Sequence, residues 1–153
     1  MAKRIAIGAD HGGYELKETL KKALEAKGYG ILDAGTGSAD SCDYPVYGFT
    51  AAENVSLKKA WRGIVICKSG IGMSMVANKL PGVRAALCSS LSDAVSSREH
   101  NDANVMVLAA NKVGGSLARK MVDTWLKTDF LKGRHARRVN QIKALEKKVF
   151  KKI

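Results

Sequence analysis

A cysteine, a serine and two glycines stand close together in Cys67-Lys68-Ser69-Gly70-Ile71-Gly72. They follow an apolar run (Ile64, Val65, Ile66) and precede a stretch rich in Met and Ala that reaches Lys79. The pattern reads as a buried strand, a tight turn and a helix. Glycines in such a turn permit positive φ and let a ligand approach the main chain. The unpaired N–H groups of a first helical turn attract negative charge, and a cysteine facing them tends toward thiolate character. The chemistry suggested is a base or nucleophile beside a seat for an anion. On this stretch alone a structural role is equally open. Glycine turns and inert buried cysteines are common in α/β domains, and no Gly-x-x-x-x-Gly-Lys-Ser/Thr phosphate loop is present.

Three further groups could join that chemistry. Asp10-His11 follows the first apolar run directly, and His100-Asn101 precedes the fifth. Arg134, Arg137 and Arg138 surround the start of the last helix, where the dipole disfavours cations. Arginines in that position suggest an anionic ligand, which guanidinium grips bidentately. Each group also has a plain reading: Asp10 as a cap, His100 as a helix-end histidine, the arginines as basic surface. Cys42 and Cys88 read as structural or incidental. No His/Asp/Glu cluster has metal-ligand spacing, so neither a metal nor another cofactor is expected.

The elements that must position these residues alternate along the chain. Strands are expected over residues 3 to 9, from Ile31 to near Gly35, around Ile64–Ile66, from Val83 to Cys88 and from Val105 to Leu108. Helices are expected from Tyr14 to Ala26, from Pro45, after Gly72, from Ser92 to Arg98, from Gly114-Gly115 and at the end of the chain. Apolar faces are assigned to Leu16, Leu20, Ala23 and Leu24; to Val46, Phe49 and Ala52; and to Leu117, Met121, Val122 and Trp125. This alternation predicts an α/β fold: a three-layer α/β/α, Rossmann-like domain with a five-stranded parallel sheet and a C-terminal helix. Such sheets bind ligands beyond the carboxyl ends of their strands. Asp10-His11, Cys67-Ser69 and the loop before the fifth strand are accordingly expected to converge on one crevice.

Length and composition fit one domain spanning 1–153. No apolar run approaches the ~20 residues of a membrane span, and the opening Met-Ala-Lys-Arg-Ile-Ala-Ile lacks the pattern of a signal peptide. With an odd number of cysteines (Cys42, Cys67 and Cys88) and no Cys-x-x-Cys, a cytoplasmic enzyme is the expected class. The net charge of +12 raises nucleic-acid binding. Much of it, however, lies in Lys143, Lys147, Lys148, Lys151 and Lys152, which alternate with Val139, Ile142, Leu145, Val149 and Ile153. That is a solvated lysine face on an amphipathic helix, and no nucleic-acid partner is expected.

The motifs taken together are similar to those of the ribose-5-phosphate isomerase B family. They are Ala9-Asp10-His11-Gly12-Gly13, Asp43-Tyr44-Pro45, Cys67-x-Ser69-Gly70-Ile71-Gly72-Met73-Ser74 and Ala77-Asn78-Lys79. Gly82-Val83-Arg84-Ala85, Arg98-x-His100-Asn101-Asp102-Ala103-Asn104-Val105 and Gly133-Arg134-His135-x-x-Arg138-Val139 complete the set, in order, across nearly the whole chain. The resemblance implies metal-independent interconversion of ribose 5-phosphate and ribulose 5-phosphate through a cis-enediol(ate), in the pentose phosphate pathway. It implies Cys67 as the proton-transfer base, His100 as the group that opens the sugar ring, and Asp10 and Ser69 at the hydroxyls or ring oxygen. Backbone N–H groups of the turn from Ser69 through Gly70, Ile71, Gly72 and Met73 to Ser74 would hold the enediolate oxygen. Tyr44 and Asn101 would orient the sugar, and His11, Arg134 and Arg138 would hold the phosphate. Sites shared between the subunits of a homodimer are implied, with a tetramer left open.

Two positions depart from the family pattern: Lys68 stands where glycine is usual, and Lys112 where arginine is frequent. Lys68 implies either an unusual backbone angle or an added charge. Allose 6-phosphate stays open as a second substrate. The alternatives are a hexose-6-phosphate isomerase on the same scaffold and a non-catalytic sensor of sugar phosphates or nucleotides.

Overall fold

A computed structural model describes residues 1–151, so the expected contributions of Lys152 and Ile153 to the last helix lie outside the described residues. Five strands, β1 (Arg4–Ala9), β2 (Gly30–Asp33), β3 (Arg62–Cys67), β4 (Ala85–Leu87) and β5 (Val105–Ala109), alternate with helices. The helices are α1 (Tyr14–Ala26), α2 (Tyr44–Ser56), α3 (Ile71–Ala77), α4 (Leu91–Asn101), α5 (Gly115–Lys127) and α6 (Arg134–Phe150). All strand pairs are parallel, in the order β2-β1-β3-β5-β4. The expected three-layer α/β/α sheet is therefore present.

Side-chain alternation along the central strands divides the core in two. Ile5, Ile7, Ile64, Ile66, Met106 and Leu108 face one layer with Leu16, Leu20 and Leu24 of α1 and Met121, Val122 and Trp125 of α5. Ala6, Val65, Cys67, Val105 and Val107 face the other, against Ala51, Ala52 and Val55 of α2 and Met73 and Ala77 of α3. Cys67 is thus the last inward residue on the α2/α3 side of β3.

Three expected faces are corrected. On α2 the buried stripe is Gly48, Ala51, Ala52 and Val55, whereas Val46 and Phe49 are exposed. The helix packs so closely that a Cβ on Gly48 would meet Met73 Sδ at 2.5 Å, which rotates the larger residues outward. On α5, Ala118 takes the inward position and Leu117 is exposed. On α6 only Val139 is buried; Ile142, Leu145 and Val149 are exposed, because the helix meets the body of the chain chiefly at α4. The fourth strand also shortens, from the expected Val83–Cys88 to three residues.

The strand order places a switch point between β1 and β3, since the chain leaves β1 toward β2 on one side and enters β3 on the other. Parallel sheets open a crevice beyond the carboxyl ends of the strands at such a point. Asp10 follows β1 and Cys67 ends β3, so both stand there.

Candidate active site

The switch-point crevice is a cleft of about 430 Å³ lined by Asp10, Tyr44, Cys67, Lys68, Ser69, Ile71, Gly72 and Met75. Cys67 is 5% exposed, and the Gly70 N–H donates to its Sγ at 3.1 Å. Gly70 makes that contact at φ +74°, a left-handed angle that glycine adopts without strain. Gly72 has a different reason to be glycine. A Cβ there would lie 2.4 to 2.7 Å from the Tyr44 ring, which therefore rests directly on the turn.

The turn's N–H groups divide by use. Gly70 serves the sulfur, Ile71 donates to Ser69 Oγ at 3.3 Å, and Ser74 donates to Gly70 O at 3.0 Å. Gly72 and Met73, at the second and third helical positions, have no carbonyl one turn earlier to bond. They are the turn's unengaged donors among the described residues. Met73 offers only its backbone, since its side chain is fully buried, and Met75 rather than Met73 lines the cleft.

Asp10 is 7% exposed. Its Oδ1 accepts from the Gly13 N–H at 3.2 Å, so the carboxylate does cap the turn before α1. His11 is exposed, and the Cys42 N–H donates to its Nδ1 at 3.2 Å. In the neutral ring that bond leaves Nε2–H as the outward donor. Cys42, read as incidental, thus orients His11 through its backbone, a contact that no side-chain pattern announces. Cys88 fits its structural reading: burial pushes its thiol up to about 11, with Asp93 adding and a hydrogen bond to Ser97 opposing.

Lys68 lies in the cleft wall with an ordinary negative φ, because the positive angles at non-glycine residues belong to Lys58, Asp102 and Lys132. The unusual backbone angle considered for Lys68 is therefore not found. The Lys68 Cβ packs over Gly12, where a Cβ would meet it at 3.2 Å. The Ala110 and Asn111 N–H groups donate to Cys67 O and Lys68 O, which brings the turn carrying Lys112 to the same edge.

His100, Asn101, Arg134 and Arg138 lie elsewhere, and the expected convergence of all segments on one crevice does not occur within a single chain. α4 starts beyond the carboxyl end of β4 and returns to the amino end of β5. Its eleven residues span about 15 Å at ~1.5 Å per residue, so His100 sits at the opposite edge of the sheet from Cys67. There it stacks on His135 with ring centroids 4.4 Å apart and planes 15° apart, beside Arg134 and Arg138 at the start of α6. Two arginines to which the sequence assigned no role, Arg98 buried and Arg84 half-buried, hold this edge. Arg98 donates to Thr128 O, Asp102 Oδ1 and Ala103 O, and Arg84 donates to Asn101 O and Asp102. Behind them Arg62 packs on Trp61 and Trp125, its pKa pushed down to about 10 by burial and by Arg98.

A larger cavity of about 640 Å³ separates α6 from the amino end of β4. Its walls are mainly apolar, including Ile142, Leu145, Val149 and Phe150, and it has neither a nucleophile nor an acid–base pair facing a helix start.

A thiol under a backbone donor, a capping carboxylate and a set of cations make a site for moving a proton on an anionic substrate. Comparison with known proteins specifies that class. The family model for Ribose/Galactose Isomerase matches residues 5–142, and this chain belongs to that family; it is an aldose–ketose isomerase. It is 41% identical to the ribose-5-phosphate isomerase B of Escherichia coli over 146 residues, covering 95% of this chain and 98% of that protein. The Clostridium thermocellum ribose-5-phosphate isomerase B structure superposes with a TM-score of 0.93 at 50% identity, covering 95% of this chain and 99% of that one. The Mycoplasma genitalium enzyme, solved with bound ribulose-5-phosphate, superposes with a TM-score of 0.92 at 38% identity over 96% and 98% of the two chains.

Proposed function

We propose that this protein interconverts D-ribose 5-phosphate and D-ribulose 5-phosphate in the cytoplasm, within the pentose phosphate pathway, as one domain that works in pairs. What carries the reading is the buried Cys67 thiol at the switch point, under the Gly70 N–H and beside Asp10. As thiolate, Cys67 takes the proton from C2 of the open-chain aldose, and the electron pair moves through C1 onto the carbonyl oxygen. The enediolate formed is held by the N–H groups of Gly72 and Met73. Return of the proton to C1, with transfer of the O2 proton to O1, completes the ketose. Tyr44 fixes the sugar from the turn side, and Asp10 and Ser69 meet its hydroxyls. No step requires a metal, and nucleic acid has no part in it.

His100 opens the furanose ring, Asn101 orients the sugar, and Arg134 and Arg138 clamp the phosphate with His11 and Lys112. Because these groups lie on both edges of the sheet, a complete site needs two chains. The amino edge of one copy faces the cleft of the other, in a homodimer related by a two-fold axis. The exposed apolar residues support this arrangement, with Ile71 and Met75 at the cleft rim and Ile142, Leu145 and Val149 along α6. Lys68 adds a cation at the cleft for the substrate's negative charge.

The direct test is proton NMR of ribose 5-phosphate with the protein in D2O and excess EDTA. Ribulose 5-phosphate carrying solvent deuterium is the expected product. A folded, dimeric protein that yields neither product nor exchange contradicts the reading and redirects it to hexose 6-phosphates.

A further inference from the structure

The first turns of α6 carry two kinds of residue on adjacent stripes. Arg134 and Arg138, one turn apart, are exposed. His135 and Val139, also one turn apart, form the neighbouring stripe, and Val139 is 1% exposed. That buried anchor turns the His135 stripe toward the body of the molecule, where its ring lies flat against His100.

The approach is fixed from several directions. The Leu131 N–H donates to Glu99 O at 3.2 Å, and Arg98 Nε donates to Thr128 O at 3.2 Å, tying the linker before α6 to the last turn of α4. Lys132 and Gly133 both take positive φ, +64° and +57°, and swing the chain into α6. The His135 N–H then donates to Lys132 O at 3.1 Å. His100 itself is exposed and makes no side-chain hydrogen bond among the described residues, so the stack is what defines its ring plane.

We propose that His135 is a positioning residue for the ring-opening step: it is the plate against which the His100 imidazole is held at the angle the sugar requires. The charges around it suit that role. Loss of hydration first, then the positive charges of His100, Arg134 and Arg138, press the His135 pKa below the ordinary histidine range, with Glu99 opposing. The lowered pKa favours an uncharged plate beside His100.

This inference rests on the reading of His100 as the group that opens the ring, and the test separates the two. Ribulose 5-phosphate carries its phosphate on the oxygen it would need to close a furanose, so it is open-chain. Exchange of its C1 proton with D2O reports proton transfer alone, whereas conversion of ribose 5-phosphate also reports ring opening. His135→Ala is expected to lower kcat for ribose 5-phosphate by about tenfold, the scale of a misaligned catalytic group. C1 exchange should stay within about twofold of wild type, and His135→Phe, which restores the aromatic plate, should recover most of the lost rate.

Parallel loss of conversion and exchange in a folded His135→Ala would mark a general structural role and overturn the proposal. So would a His135→Phe as slow as His135→Ala. Full activity of His135→Ala alongside an impaired His100→Gln would overturn it while leaving His100's role intact. A His100→Gln equal to wild type on ribose 5-phosphate would remove the underlying reading, and this inference with it.

Discussion

The two edges of the sheet are built by different means. At the carboxyl edge the groups proposed for proton transfer are buried and held by main chain: Cys67 and Asp10 are 5% and 7% exposed, and each accepts a backbone N–H. At the amino edge the groups proposed for ring opening and phosphate binding are exposed side chains, His100, Arg134 and Arg138, and it is their supports, Arg98 and Val139, that are buried. A proton-transfer centre needs atoms fixed to fractions of an ångström, which backbone and burial provide. A phosphate clamp needs charge and reach, which long side chains provide. On the proposed mechanism neither edge suffices alone.

The comparison breaks most sharply at Cys67. Cys67→Ala should lower kcat by about 10³-fold or more, the scale of a lost general base, while calorimetry finds ribulose 5-phosphate bound within a fewfold of wild-type affinity. Appreciable remaining turnover would move the base elsewhere. At the other edge, Arg138→Ala should act on KM, raising it by roughly tenfold to a hundredfold as a charge-assisted hydrogen bond is lost, with kcat nearly preserved. An unchanged KM would remove the phosphate clamp from this edge.

Within the cleft, Gly72→Ala drives a methyl group into the Tyr44 ring and should cost about 1–3 kcal/mol of stability, measured by denaturant titration. Combined with Tyr44→Ala, most of that cost should disappear, because the two residues share one contact. Lys68→Gly should raise KM only severalfold, and the difference from wild type should shrink as salt screens the cation.

The smallest effect concerns His135. Its pKa is lowered in the folded chain, so below the ordinary histidine value the unfolded chain binds more protons and folding loses stability. Tm should therefore fall slightly as pH drops from 7.5 through the ordinary histidine range, and His135→Phe should lack that component.

Much of the fold was legible in the sequence because its signals are local. Apolar runs marked the central strands, Gly28 ended α1 at φ +85°, and Pro45 opened α2. The cleft half of the candidate site was legible for the same reason, since Asp10 and Cys67 each end a strand. What could not be read was which ends face the same way. The loop before β5 looks like another strand end, yet it lies at the amino edge, because a strand's start and finish carry the same polar residue types. Strand order was equally hidden: nothing local tells β5 to lie between β3 and β4. The Cys42–His11 contact and the Arg84 and Arg98 clamps depend on segments brought together only by the sheet.

If one site draws on opposite edges of two chains, two inactive variants must complement each other. Cys67→Ala and His100→Gln, each slow on ribose 5-phosphate alone, are unfolded together and refolded as a mixture. A heterodimer then has one site with both groups intact and one with neither. Recovery to roughly a quarter of wild-type activity is expected, from half the dimers carrying one good site each. A refolded, dimeric mixture no more active than its parents would contradict a shared site.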